Sequence, residues 1–116
     1  MKQGMSLGRW AWLGQAVSGI LLVVLIALHW VAQHWVASGG VRSYADVVAY
    51  LRRPEILALE TAFLVVVTAH ALLGVRAILL DLGPDRRARR FLNLGLGTLG
   101  LATVGYGLAL TLTIIR

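Results

Sequence analysis

The chain has no cysteine, which excludes a disulfide framework, a thiolate metal site and a cysteine nucleophile. It is also poor in charge. Only 14% of its 116 residues are Asp, Glu, Lys or Arg, where soluble domains average about 25%. The two prolines, Pro54 and Pro84, both stand at the edge of an apolar run. Hydrophobic residues make up 59% and the mean hydropathy is +0.79. A water-soluble fold is disfavoured by these values, and so is disorder, which needs a polar, charged chain. One domain, residues 1–116, is the ceiling at this length. Metal or cofactor ligation falls to His29, His34, His70, Met1, Met5 and the five carboxylates.

A net charge of +6 can signal nucleic-acid binding. Here the cations lie mostly between long apolar runs, the pattern of a membrane protein with charged loops, and no nucleic-acid partner is expected. The runs cover about 12–36, 56–80 and 91–115. Each is long enough to cross a bilayer, which needs about 20 helical residues. A lone segment in hydrocarbon must be helical, because its backbone polar groups have no other partner. No period of two is present, which argues against a barrel. The expected fold is therefore an all-α membrane protein with three transmembrane helices. A cleaved signal peptide, with Lys2 and Arg9 before the first run and Ala37-Ser38-Gly39 after it, is the competing reading. The run is too long for that and holds Gln33 and two histidines.

Arginine sets the orientation. The second loop, GPDRRARR at 83–90, carries four arginines, and the N-terminus carries Lys2 and Arg9; with three spans these lie on one side. The opposite side holds Arg42, Arg52, Arg53 and Arg116. Positive-inside bias places the N-terminus and the arginine block in the cytoplasm, in a multi-pass protein of the cell (inner or plasma) membrane. In the outer loop, Ser43 and Asp46 read as a capping box for a short interfacial helix at about 44–52, with Tyr44 and Tyr50 as interface anchors. Pro54 suits a helix first turn, and Gly83-Pro84 suits a helix stop. Trp10, Trp12, Trp30 and Trp35 form an aromatic belt near the ends of the first span.

Polar groups inside a bilayer are costly and mark functional sites by default. His70 lies near the middle of the second span and suits a haem ligand, a proton relay or a hydrogen-bonded packing residue. Gly74 follows on the same face, where a missing side chain leaves room for a flat macrocycle. Asp81 returns to nearly that face about 1100° on. Arg76 is turned away, near enough to the cytoplasmic end to snorkel or to meet an anion. Counting about 1.5 Å per residue from the ends of the apolar runs places Ser18, Arg76 and Asp81 in the cytoplasmic third, beneath His70, and His29 near the outer surface. His29 and His70 differ too much in depth to flank one iron, so a second axial ligand would come from another chain. His29 is then an interfacial histidine or a contact to haem propionates, and His34 a solvated one. In the third span Gly95, Thr98, Ala102, Gly105 and Ala109 form a small-residue stripe, read as a packing face within the chain or with a partner. Gly95-x-Gly97-x-x-Gly100 matches a dinucleotide fingerprint by letters only, since no strand precedes it.

These residues carry a resemblance. HALLGVRAILLDLG (70–83) resembles the second-helix signature H-x-x-x-G-x-R-x-x-x-x-D-x-G of the small membrane-anchor (cytochrome b) subunits of succinate dehydrogenase, respiratory complex II. SGILLVVLIALHW (18–30) is similar to the family's S/T-G…H first helix, and SYADVVAYLRRPE (43–55) to its Tyr-rich loop. The resemblance spans about residues 10–90. It implies pairing with a second three-helix anchor, and attachment of an iron–sulfur subunit and a flavoprotein subunit. It also implies a b-type haem between the anchors with His70 as one axial metal ligand, and quinone reduction near the cytoplasmic side. Gly74, Arg76 and His29 then belong to the haem environment, and Ser18 and Asp81 to the quinone site. Two positions depart from the family pattern: Ala16 stands where an arginine often precedes the S/T-G pair, and Leu82 where some members have tyrosine.

The chain shows no nucleophile–base–orienter set, so it is expected to be non-catalytic alone, as a subunit of an oxidoreductase complex. Two other readings fit the residues. One is a haem-binding anchor of another respiratory oxidoreductase, which usually carries more spans and more intramembrane histidines. The other is a small proton-coupled transporter or assembly partner using Glu60 or His70; Glu60 is shallow for a midplane substrate site.

Overall fold

The computed structural model describes residues 2–36, 39 and 43–116, and the side chains among these apart from residues 2–7 and 36. Arg42, the Ala37-Ser38 part of the expected cleavage segment, Met1, and the side chains of Lys2 and Met5 lie outside the described residues. Four α-helices follow one another: α1 Lys2–Val31, which runs on through a π-helical turn at Ala32–Val36, α2 Tyr44–Leu51, α3 Pro54–Leu80 and α4 Arg86–Ile115. Three stretches, Gly8–Trp35, Pro54–Leu80 and Arg86–Ile115, are long and apolar enough to cross a membrane.

Two helices begin before the hydrophobicity does. The first starts about ten residues ahead of its apolar run, and α4 starts at Arg86, with Asp85 Oδ1 accepting from Ala88 N at 2.7 Å as its N-cap. A helix ends where its backbone groups find caps, whereas an apolar run ends where hydrocarbon ends; the two boundaries need not coincide. Ser43 and Asp46 cap α2 reciprocally: Asp46 N donates to Ser43 Oγ at 3.2 Å and Ser43 N to Asp46 Oδ2 at 3.1 Å. Pro54 occupies the first turn of α3, where its missing N–H costs nothing. At the other end Gly83 adopts φ +70°, a left-handed conformation that glycine takes without strain, and the chain turns into α4.

The central helix is α3. It packs antiparallel against α1 on one side and α4 on the other, and α2 lies across the outer ends of α3 and α4. The described bundle is thin, 54 × 26 × 20 Å. Its buried hydrophobic residues are Leu22 and a small outer-end cluster of Ala32, Tyr50 and Ile56, with Leu51 and Leu59 against it. Large side chains such as Val23, Ile78 and Leu101 lie exposed along the spans. In a bilayer this needs no correction, since lipid tails are as apolar as the side chains themselves. Arg52 crosses from the end of α2 to the end of α4, its Nε donating to Ile115 O at 3.1 Å, a cation on the negative end of a helix dipole.

The small-residue stripe does not form the contact within the chain. Gly95 and Gly105 have open space where a Cβ would stand, and Thr98, Ala102 and Ala109 are exposed. The close approach of α3 and α4 is made instead at Gly100 and Gly107. A Cβ at Gly100 would stand 2.8 Å from Leu72 Cδ1, and one at Gly107 would stand 2.7 Å from Leu64 Cδ2. The packing angle selects which glycines meet the leucines, and periodicity alone does not reveal that angle. Gly100→Val and Gly107→Val are each expected to destabilise the chain by about 1–3 kcal/mol through overpacking, whereas Gly105→Val leaves it unchanged. Thermal unfolding of the isolated chain in detergent reads the difference; equal effects at all three positions would contradict this packing.

Candidate functional site

The first polar contact between α1 and α3 is at the middle of the bundle. Ser18 Oγ and His70 Nδ1 are 2.9 Å apart. Ser18 is only 8% exposed, and its Oγ also reaches the Gln15 carbonyl at 3.1 Å. A hydroxyl has one hydrogen. When that hydrogen goes to the Gln15 carbonyl, the Ser18 oxygen accepts from His70 Nδ1–H, and the imidazole lone pair lies on Nε2. Among the described residues Nε2 has no hydrogen-bond partner. Gly19 completes the seat: a Cβ there would stand 3.3 Å from His70 Cε1, so the glycine lets the ring edge approach α1. The Ser18-Gly19 pair therefore holds one imidazole nitrogen and makes room for the ring.

One turn towards the cytoplasmic end, Gln15 Nε2 lies 3.3 Å from where a Cβ of Gly74 would be. The space that Gly74 leaves is thus faced by Gln15, and the glycine brings α1 and α3 together. Gln15 Oε1 is buried without a hydrogen-bond partner, the kind of orphaned acceptor that waits for a donor. Gln15 was not among the expected site residues, although its polarity in an otherwise apolar stretch was a visible signal.

The second polar contact is at the outer end. Glu60 Oε1 lies 2.7 Å from His29 Nδ1 and accepts from the Tyr50 hydroxyl at 2.9 Å, with Oε2 3.0 Å from the same His29 nitrogen. His29 also stacks on Phe63, with ring centroids 5.1 Å apart and 10° between planes. Tyr50 is 6% exposed. Burial, and then the bond to the Glu60 carboxylate and its charge, push the phenol well above its usual range. So Tyr50 is an internal strut, while Tyr44 is the exposed tyrosine of α2. His34 is exposed, with Nδ1 2.8 Å from the Trp30 carbonyl oxygen.

The remaining expected residues spread out. Arg76 turns towards α4 and donates from Nε to Asn93 Oδ1 at 2.8 Å. Asp81 caps the end of α3 and is exposed. Ser18 does not lie beneath His70; the two meet at one level. Counted from Gly8, the start of the first span, Ser18 is ten residues in (18 − 8), and His70 is ten residues from Leu80 at the end of the second (80 − 70). That puts both about 15 Å deep. The first span begins at Gly8, ahead of the apolar run, so depth measured from the run falls short. The structure thus joins Ser18 to His70 and His29 to Glu60, and leaves Arg76 and Asp81 apart from both.

The sequence as a whole matches the family model described as succinate dehydrogenase/fumarate reductase transmembrane subunit over residues 2–114. The chain belongs to this family. It is 37% identical over 105 residues to the succinate dehydrogenase hydrophobic membrane anchor subunit of Archaeoglobus fulgidus, covering 90% of this chain and 88% of that one. It is 30% identical over 116 residues to the protein of the same name from Thermoplasma acidophilum, covering 100% of this chain and 91% of that one. No solved structure matches the chain.

The outer contact is open to test independently of any cofactor. Tyr50→Phe is expected to cost about 1 kcal/mol, the loss of one hydrogen bond. Glu60→Ala strands both His29 and Tyr50, and is expected to cost two to three times as much. Adding Tyr50→Phe to Glu60→Ala then costs little more. Additive losses in a double-mutant cycle, read by thermal unfolding, would show that the three groups do not act together.

Proposed function

We propose that this chain is a membrane anchor of succinate dehydrogenase, holding the iron–sulfur and flavoprotein subunits at the bilayer together with a second three-helix anchor. Its own part in electron transfer would be to present one axial histidine to a b-type haem and to line the quinone site. The observation that carries this reading is the seat of His70: an imidazole at mid-depth with Nδ1 held at 2.9 Å by a buried serine and Nε2 without a partner among the described residues.

The residues fit the group. A haem-ligating histidine typically gives its other ring N–H to an acceptor, which fixes the tautomer and ring orientation and raises ligand basicity. Ser18 does this for His70, and the second contact of Ser18, to Gln15 O, fixes which atom is the donor. The orphaned Gln15 Oε1 supplies an unused acceptor one turn away. His29 lies at a different level and is engaged by Glu60, so the second axial ligand would come from the partner anchor. When bound, haem b with two histidines supplies one-electron transfer without an open coordination position.

Gly74 would keep α1 and α3 close beside the haem, while Arg76, bonded to Asn93 on the α4 side, and His29, bonded to Glu60 at another level, stand apart from it. On the cytoplasmic side, Asp81 is an exposed carboxylate able to carry a proton towards a reduced quinone. Ser18 touches His70 directly and would link quinone-side polarity to the haem ligand. Three apolar helices support multi-pass placement in a membrane, and the cell membrane is the one this reading assigns.

His70→Ala is expected to abolish the reduced-minus-oxidised haem b signal of the assembled complex, and unchanged haem content would remove His70 as a ligand. Ser18→Ala should keep haem but raise its midpoint potential, because the ligand loses basicity, and Ser18→Thr should restore it. Succinate-dependent quinone reduction by membranes is the functional readout. Activity that persists after deletion of this chain would exclude the anchor role.

A further inference from the structure

The side of α3 facing α4 carries a feature that the histidine seat does not use. A groove of about 640 Å³ runs between α3 and α4, lined by apolar side chains, glycine and Thr68 up to Arg76 and Asn93. Those two residues also line a pocket of about 500 Å³ at the cytoplasmic end, together with Arg86, Arg89 and Arg90. The two spaces therefore adjoin at the Arg76–Asn93 pair, the one basic and the other apolar. They lie away from His70: Leu72, which lines the groove, is about 200° around α3 from it.

The arginine block is divided between two uses. Arg87 lies over the Phe91 ring, 5.9 Å from its centroid. Arg86, Arg89 and Arg90 follow helical spacing and share the pocket with Arg76. No carboxylate lines that pocket. Among the described residues, no ion pair involves an arginine. Four guanidinium groups gathered at the membrane surface without a counter-charge form a site for an anion. The apolar part adds a second requirement. From Asn93 to Val104 the groove follows eleven residues of α4, about 16 Å, close to half of a hydrocarbon core of about 30 Å. That is the depth of one leaflet.

We infer that this groove binds an acidic phospholipid of the cytoplasmic leaflet. Its phosphate would lie among Arg76, Arg86, Arg89 and Arg90, and one acyl chain along the α3–α4 groove. A free phosphate would satisfy the arginines and leave the groove unfilled. A neutral lipid would fill the groove and leave the arginines without a counter-charge. The glycine at 97 fits this role: it lines the groove, and a Cβ there would meet nothing within 4 Å, so its small size serves no contact within the chain.

The test uses the intact assembly carrying this chain, reconstituted in nanodiscs of phosphatidylglycerol and phosphatidylcholine in equal parts. After exchange into detergent, retained lipid is counted by native mass spectrometry. Wild type is expected to keep one more phosphatidylglycerol per copy of this chain than either of two variants, Arg86→Gln/Arg89→Gln/Arg90→Gln, which removes the anion site, and Gly97→Leu, which fills the groove. Retention in either variant is expected to fall at least tenfold. Arg89→Gln alone, expected to weaken retention to a lesser degree, serves if the triple variant does not assemble. Equal retention in wild type and variants, or equal retention of phosphatidylcholine, would overturn the proposal. Displacement of the lipid by millimolar inorganic phosphate would reduce the site to an anion pocket without an acyl-chain groove. So would a Gly97→Leu variant that binds like wild type. A lipid absent from the intact assembly but retained once the iron–sulfur subunit has been stripped from it would overturn the proposal, since a protein, and not a lipid, would then cover the arginines.

Discussion

A polar group in hydrocarbon must find its partner within the protein, because no water will answer it; the threonines of α4 use carbonyls of their own helix, whereas an imidazole, carboxylate or guanidinium reaches further. The arrangement of this chain follows from how α3 meets that constraint. Its Glu60, His70 and Arg76 each bond across to another element: Glu60 to His29 and Tyr50, His70 to Ser18, and Arg76 to Asn93. The first two fix α1 and α2 against α3 at two depths, and the third fixes α4 near the cytoplasmic surface. Apolar packing cannot supply this register. Leu, Val and Ile are as well solvated by lipid tails as by each other, so it is the polar bridges and the glycine contacts that decide where the helices sit.

Two kinds of glycine emerge from the packing. Gly19, Gly74, Gly100 and Gly107 each meet a named side chain of a neighbouring helix, while Gly95, Gly97 and Gly105 meet nothing within the chain. The second group leaves much of α4 free for other molecules. Together with the scant burial of large apolar side chains, this describes a subunit whose surfaces are completed by lipid and by companion chains, in keeping with its family.

Much of this was legible beforehand. Three spans, the capping box at Ser43 and Asp46, and a polar His70 at mid-span follow from residue type and spacing, which are local properties. The family resemblance rested on the same stretch, 70–83, that carries His70. What spacing could not give was the rotation and relative depth of the helices. Counting depth from the apolar run rather than from the helix puts Ser18 about a turn beneath His70, whereas the two side chains meet at one level. Gln15 and the Glu60–His29–Tyr50 set were missed as partners for a related reason: their meaning lies in contacts between residues 31 or more apart along the chain, or in the fold of a loop. The small-residue stripe of α4 failed as an internal seam because two faces of that helix carry small residues, and only the crossing with α3 chooses between them.

The order of these contacts along the chain bears on biogenesis. Every bridge between α1 and α3 is made by residues that precede Asp81, and α4 contributes to none of them. Once the first ninety or so residues have left the ribosome and entered the bilayer, the hairpin of the first two spans already holds both histidines in place. The last span then arrives as a lid on the opposite flank, meeting leucines and one arginine. Insertion can thus set the Ser18–His70 and His29–Glu60 contacts before the polypeptide is finished.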